Sequence, residues 1–167
     1  LVFPGENGQS PKIISQGNFH GEILALSADR MSLSIFELAS ISERRMDQLL
    51  DPSKSNLPPF LAKNSGLESG YMIVQYSAGS ALSELHGHAT PRTAFSTSTS
   101  AGQEDHVSMG ATACWNLHQA CLRLSEVLAC ELLIASEALS HHDNSPSQTV
   151  NSLISLTRNI SPLLDSD

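Results

Sequence analysis

The stretch "QEDHVSMGATACWNLHQACLRLSEVLACELLIASEALS", residues 103–140, decides the fold because it is the longest unbroken helical pattern in the chain. Apolar residues recur in it at steps of three and four, the period of an α-helix. A helix of roughly 38 residues would be more than about 50 Å long, which a domain of this size cannot easily cover. The stretch therefore predicts one member of a larger bundle or oligomer core. Its apolar stripe consists of Val107, Ala111, Cys114, Leu117, Cys121, Leu124, Leu128, Leu132, Ala135 and Leu139.

Three further helical patterns cover about 22–50, 69–87 and 148–164, and proline- or glycine-rich segments separate them. Residues 1–21 are rich in Gly, Pro, Asn and Ser, which predicts a loop with a short strand at 12–15. We therefore expect an all-α fold, a bundle of long helices in a single unit over 1–167, with an N-terminal loop over 1–21 and the bundle over 22–167. The stripe of the first helix consists of Leu24, Ala28, Met31, Ile35, Leu38, Ser42, Met46 and Leu49.

Composition limits the class of partner. The 167 residues carry a formal charge of −8 with a pI near 5.2, and no basic patch is present to bind a phosphate backbone. No apolar run approaches membrane-spanning length. We expect neither a nucleic-acid nor a membrane partner. Cys114, Cys121 and Cys130 form no CxxC pair and are interpreted as small buried hydrophobes of a reduced, cytoplasmic protein.

The acidic cluster at the start of the longest pattern has two interpretations. Ser100 followed by Gln103 has the form of a capping box, which predicts that Glu104, Asp105 and His106 lie in the first helical turn. Acids there are favoured by the helix dipole, by roughly 0.3–1 kcal/mol each. The functional alternative is that a carboxylate facing a cleft accepts a proton or a hydrogen bond from a ligand.

The segment "GNFHGE", residues 17–22, is the second candidate, and it also precedes a long helix. It is interpreted either as a turn with Phe19 as a core residue or as part of a site. A metal alternative would combine His20 and Glu22 with Glu104 and His106. Because that spacing is not a recognised ligand pattern, we predict no metal site.

Four motifs occur in register: "SQGNFHGE", "SISERRMDQLLDPSKSNLPPFL", "GLESGYMIVQYSAGSALSE" and "STSTSAGQEDHVSMG". Together they resemble the C-terminal portion of the histidine ammonia-lyases, in the aromatic amino acid lyase superfamily, from about 15 to 137. The resemblance implies a helical homotetramer that converts L-histidine to trans-urocanate and ammonia. The electrophile of that family is a methylidene-imidazolone (MIO) formed from an Ala-Ser-Gly triplet in the N-terminal half. This chain contains no such triplet, so we expect it to depend on a missing N-terminal half and to be inactive alone.

The resemblance also assigns site residues. Phe19 would wall the substrate pocket, Glu104 would be the catalytic carboxylate facing the imidazole, and Gln103 would add a hydrogen bond to the substrate. Asp105 and His106 would brace the loop. Phenylalanine lyases carry Gln in the matching motif, so Glu104 favours histidine as the substrate.

Two alternatives stay open at this point. The segment "LHGHATP", residues 85–91, departs from the family pattern beside the pocket, which leaves a lyase or aminomutase for another aromatic amino acid. A non-enzymatic helical oligomerisation module would retain the apolar stripes and have no need of Phe19 or Glu104.

Overall fold

Long helices make up most of the chain in the computed structural model, which describes residues 2–5, 7–13, 20–143 and 145–163. Within these residues a two-stranded antiparallel pair, β1 and β2, precedes five α-helices, α1 to α5. The expected all-α class with long helices is confirmed. The elements are β1 (Val2–Phe3), β2 (Lys12–Ile13), α1 (Glu22–Leu50), α2 (Pro52–Ser55), α3 (Met72–His88), α4 (Gly110–Ser140) and α5 (Gln148–Ile160).

Helix α1 has the predicted bounds, and its end follows from local sequence. Asp51 is extended because the residue before a proline is disfavoured in the α-region. The Asp51 carboxylate then accepts a hydrogen bond from the Ser53 amide at 2.9 Å, and Pro52 occupies the first turn of α2. The break between α1 and α3 thus contains the short helix α2, which the sequence pattern did not predict.

Helices α1 and α4 run parallel, and α3 runs antiparallel to both. Ala25 clusters with Ala113 near the two helix starts, while Ser42 donates a hydrogen bond to Glu131 at 2.5 Å farther along. Tyr71, directly before the start of α3, donates a hydrogen bond at 2.9 Å to Glu137, which lies near the end of α4. Since parallel neighbours need a returning connection, α3 and the loop 89–109 together carry the chain back to the start of α4.

The predicted apolar stripes are confirmed only in part: Ala28, Ser42 and Met46 on α1 are buried, whereas other members of both stripes are exposed. Leu24, Met31 and Leu38 are exposed in this chain, and so is Leu128. The buried face of α1 instead carries small residues, and α4 buries a neighbouring stripe. Because Ala and Ser allow two helix axes to approach closely, they take the shared face, and larger side chains point outward. The buried apolar or small residues are Ala25, Ala28, Ser32, Ala39, Ser42, Met46 and Leu50 on α1, and Ala113, Ala120, Val127, Ile134, Ser136 and Ala138 on α4.

The interpretation of the cysteines as buried is also wrong for this chain. Cys114 and Cys121 are exposed, and Cys130 is half-buried; all three thiols are free. The two exposed cysteines belong to the same outward stripe of α4 as Leu128.

The end of the chain departs from the predicted bounds as well. Helix α5 was expected to reach 164 but ends at Ile160, because Ser161 precedes Pro162 and is extended. Arg158 on α5 pairs with the buried carboxylate of Glu137 on α4, with Nη2 to Oε2 at 2.9 Å. Burial, the largest influence, raises the pKa of the neighbouring Tyr71 hydroxyl. No helix among the described residues is long and apolar enough to cross a membrane.

The start of the loop 89–109 is fixed to both long helices through two buried polar side chains. Asn116 on α4 accepts a hydrogen bond from Arg92 at 2.8 Å and donates one to the His88 carbonyl at 2.7 Å. Asp29 on α1 accepts from the Thr93 amide at 2.9 Å and from the Thr93 hydroxyl at 2.7 Å. Because buried polar atoms are costly to leave unpaired, the bonds to Asn116 and to Oδ2 of Asp29 specify one position for the start of the loop.

Leu85 is fully buried in the core of α1, α3 and α4, so Leu85→Ala is expected to remove packing that the structure cannot replace. The free energy of unfolding should fall by about 2–5 kcal/mol. The matched control is Leu67→Ala, which truncates the same side chain where it is 92% exposed and should cost less than about 0.5 kcal/mol. Urea denaturation followed by circular dichroism measures both; equal losses would contradict the core assigned here.

Asp29 gives a pH-dependent prediction. Burial raises its pKa, but hydrogen bonds from Thr93, together with Arg92, outweigh burial and hold the pKa below its ordinary value of 3.8. A lowered pKa in the folded state means that the stabilisation is present above pH 3.8 and is lost as the pH falls through the folded-state pKa. Asp29→Asn is therefore expected to destabilise the fold at pH 7, by about 1–3 kcal/mol, and to have a smaller effect near pH 3.

Thr93→Val serves as the second variant, because it removes one of the two hydrogen bonds to Asp29 and retains the backbone amide. It should show part of the Asp29→Asn effect in unfolding titrations at the two pH values. The assignment would be refuted if Asp29→Asn lost the same free energy at both pH values.

Candidate active site

The candidate site forms where the start of α1 meets the loop that precedes α4. Ala25 and Ala28 on α1 cluster with Ala113 on α4, and their small side chains let the two helix starts lie close together. A Cβ added at Gly110 would lie 3.7 Å from the Ala25 side chain and 3.2 Å from the Ser108 hydroxyl. The small residues at the two helix starts therefore set the distance between the segments that carry the two sequence motifs.

The acidic cluster does not lie in the first turn of α4, which corrects the sequence prediction. The helix begins at Gly110 rather than near 103, and Met109 before it has a left-handed backbone with φ 53°. Ser100 also has a left-handed backbone, and its carbonyl accepts from the Gln103 amide at 3.2 Å, closing a short turn. The predicted capping box is thus absent, and the helix dipole does not act directly on Glu104.

Glu104 instead lies on a narrow hairpin-like loop. Its backbone pairs with Thr99, with Thr99 donating its amide at 2.9 Å and Glu104 donating back at 3.3 Å. Below this pair, the Ser96 hydroxyl donates to the Val107 carbonyl at 3.1 Å and accepts from the Val107 amide at 2.9 Å. Because these bonds use the backbone groups of Glu104 and Val107, the two residues do not join helix α4. Glu104 is held instead near the tip of the hairpin-like loop.

Two His–Glu pairs join this loop to the start of α1. His20 Nε2 lies 2.9 Å from Glu104 Oε2, and His106 Nε2 lies 3.2 Å from Glu22 Oε2. The segments 20–22 ("HGE") and 104–106 ("EDH") therefore lie side by side, and the histidine of each contacts the glutamate of the other. Gly21, between His20 and Glu22, has a left-handed backbone with φ 68°, a conformation that glycine adopts without strain.

The backbone of the two segments is also joined. The Ser108 hydroxyl donates a hydrogen bond to the His20 carbonyl and accepts one from the Gly110 amide at 3.2 Å. Ser108 is buried, whereas the side chains of His20 and Glu104 are about one-third exposed, at 31% and 34%. A buried anchor thus lies beside a carboxylate that solvent, or a ligand, can reach.

The structure places the predicted residues as follows. Glu104 faces His20, and Gln103 next to it is exposed. Phe19 lies outside the described residues, although it directly precedes His20. The sequence does not predict the direct contact between His20 and Glu104. The available signal is the inverse order of "HGE" and "EDH", which brings these residues together only in the metal alternative.

The metal alternative is not supported by the side-chain geometry. Each carboxylate of the proposed four-residue set contacts one histidine rather than a shared centre. Over the part of the chain that the structure describes, no group of three or more His, Cys, Asp or Glu side chains is arranged to hold a metal ion.

Comparison with known proteins identifies the family. Histidine ammonia-lyase of Deinococcus radiodurans is 42% identical over 167 residues, which is all of this chain and 31% of that protein. The crystal structure of histidine ammonia-lyase from Trypanosoma cruzi matches 99% of this chain and 32% of its own, with a TM-score of 0.88 and 38% identity. Pantoea agglomerans phenylalanine aminomutase also matches, with a TM-score of 0.88 and 31% identity over 93% of this chain and 31% of its own.

The chain therefore spans about a third of the length of the relatives it matches, which confirms that it corresponds to part of a longer protein. Its helices match the ammonia-lyase fold over nearly their whole extent, as the motifs predicted. The sequence model of the family described as "Aromatic amino acid lyase" matches residues 1–159. On these grounds the chain belongs to the aromatic amino acid lyase family.

Proposed function

We propose that the complete protein is a histidine ammonia-lyase, which eliminates ammonia from L-histidine to give trans-urocanate, and that this chain supplies part of the active site. The observation that carries the proposal is the position of Glu104. Its carboxylate is partly exposed, is held by a hairpin-like loop, and has one oxygen engaged with His20. Histidine ammonia-lyases among the relatives, at 42% identity and above, support the same conclusion.

Glu104 has the chemistry that an imidazole substrate requires. An ionised carboxylate accepts hydrogen bonds only, so it can accept the imidazole N–H of histidine and take up a proton nearby. A phenyl or phenol ring of another substrate offers no matching N–H. We therefore propose Glu104 as the catalytic carboxylate, with Gln103 donating a hydrogen bond to substrate and Phe19 walling the pocket beside the ring.

The prosthetic group of this proposal would come from elsewhere in the protein. The family implies MIO, an electrophile that activates the amino group of the substrate as a leaving group. Its precursor, an Ala-Ser-Gly triplet, does not occur in this chain, so none of these residues can form it. We propose that a segment preceding this chain in the complete protein carries MIO and that this chain alone does not turn over histidine.

Assembly and location follow as further parts of the proposal. Leu24, Met31 and Leu38 form an exposed large-apolar face on α1, and such faces are buried between subunits in oligomers. We propose a homotetramer whose subunits cover this face. Three free cysteines suit a reducing compartment, which supports a cytoplasmic location.

The second candidate function is a lyase or aminomutase acting on another aromatic amino acid. It is favoured by the phenylalanine aminomutase of Pantoea agglomerans, which matches with the same TM-score as the Trypanosoma cruzi lyase. Fold similarity therefore does not discriminate between the two, whereas the residue at 104 does. Assays of the complete protein with L-histidine, L-phenylalanine and L-tyrosine, with both ammonia release and amino-group migration measured, separate the candidates.

Glu104→Gln in the complete protein is expected to lower kcat for L-histidine by about 10²–10⁴-fold, because the amide retains the shape of the side chain but is no longer a base. The matched control is Asp105→Asn, which makes the same change on the adjacent, exposed carboxylate and should leave kcat within about threefold. Urocanate formation gives the rate, and size-exclusion chromatography checks the assembly. Wild-type turnover by Glu104→Gln would overturn the site.

A further inference from the structure

The His20 side chain hydrogen-bonds the side chain of Glu104, with Nε2 to Oε2 at 2.9 Å. An ionised carboxylate accepts only, so His20 donates through Nε2–H. The bond engages one carboxylate oxygen. The second oxygen, Oε1, takes no part in this bond.

The backbone of His20 is attached to the same segment that carries Glu104. Its carbonyl accepts a hydrogen bond from the buried Ser108 hydroxyl, four residues beyond Glu104. The His20 residue thus contacts the segment at two points, one through the side chain and one through the backbone. Two attachments fix the imidazole relative to Glu104, which a single flexible contact would not do.

Stability does not account for the His20–Glu104 pair. Both side chains are about one-third exposed, and a polar contact between partly exposed side chains contributes little to folding. The fold already has its buried anchors near this place, at Ser108 and Asp29. A contact that adds little stability, but fixes the one carboxylate assigned to chemistry, acts on the geometry of the site.

The same loop offers an internal comparison. The Glu22–His106 pair has the same residue types and the same separation of 84 positions, and its Nε2–Oε2 distance is 3.2 Å. His106 is more exposed, at 57%, and its partner carboxylate is not Glu104. It therefore joins the same two segments without touching the catalytic carboxylate.

We propose that His20 is a positioning residue, which holds the carboxylate of Glu104 in the orientation that meets the imidazole of the substrate. The proposal rests on the proposed function, since it gives Glu104 its catalytic role. It extends that function by making the site a dyad built from two distant motifs, in which His20 acts through Glu104 and does not itself touch the substrate.

The test uses the complete protein and four variants: His20→Phe, His20→Gln, Glu104→Gln and the double variant His20→Phe/Glu104→Gln. Phe retains a ring without a donor, whereas the Gln amide nitrogen restores a donor near the position of Nε2. We expect His20→Phe to lower kcat for L-histidine about 10- to 100-fold with KM within about threefold, and His20→Gln to recover most of that loss. Because His20 acts through Glu104, the double variant should be no slower than Glu104→Gln alone.

The control is His106→Phe, which removes the same ring nitrogen from the matched pair and should leave kcat within about threefold. The temperature of unfolding should be the same for His20→Phe and His106→Phe. The proposal is overturned if His20→Phe turns over at the wild-type rate, if His106→Phe loses as much, or if His20→Gln recovers nothing.

These results also separate this inference from the proposed function. An inactive Glu104→Gln with a fully active His20→Phe removes the role of His20 and leaves the lyase assignment intact. A fully active Glu104→Gln, or a wild-type protein that releases no ammonia from any aromatic amino acid, removes the proposed function and the role of His20 with it.

Discussion

The close approach of α1 and α4 is the constraint on which the rest of this structure depends. Ala25, Ala28 and Ala113 occupy the contact near the helix starts, and Gly110 opens α4 where a Cβ would meet Ser108 and Ala25. Dispersion between small side chains is weak per residue, but the short interaxial distance lets backbone and side-chain polar groups of both segments reach each other. Without that distance, the two motifs separated by 84 residues would not meet.

Two kinds of polar contact act on the loop that carries Glu104. Buried groups hold its base: Asp29 binds Thr93, and Asn116 binds Arg92. Partly exposed groups act near its end, where His20 contacts Glu104. The buried contacts are costly to break and determine where the loop lies, whereas the partly exposed contact costs less to break and acts on the orientation of the Glu104 carboxylate.

The sequence predicted the helix content and the two motifs, because both are local patterns. The sequence did not predict which helix face is buried or where α4 begins, because packing between helices determines the first and loop geometry the second. A hydrophobic stripe on α1 selects Leu24 and Met31 because they are large and apolar. Ala25 and Ser32 are buried in their place, because small side chains allow the axes of α1 and α4 to lie close together. The start of α4 was missed because nothing in the local pattern shows that Met109 is left-handed. Glu104 is a candidate site residue because of the motif that contains it, and its predicted helical turn is wrong.

The two sides of the loop between α3 and α4 hydrogen-bond each other, at Ser96–Val107 and at Thr99–Glu104. Asp29 and Asn116 fix the start of the loop, where it leaves α3. The reciprocal Ser96–Val107 bonds then join the two sides of the loop, between the helices and the segment that carries Glu104. Residues 97–106 are therefore joined to the scaffold in two ways, through the Ser96–Val107 bonds and through the two His–Glu contacts to the start of α1. Because the Ser96–Val107 bonds lie between this segment and the two helices, the side chains within it can be replaced without changing where α3 ends or α4 begins.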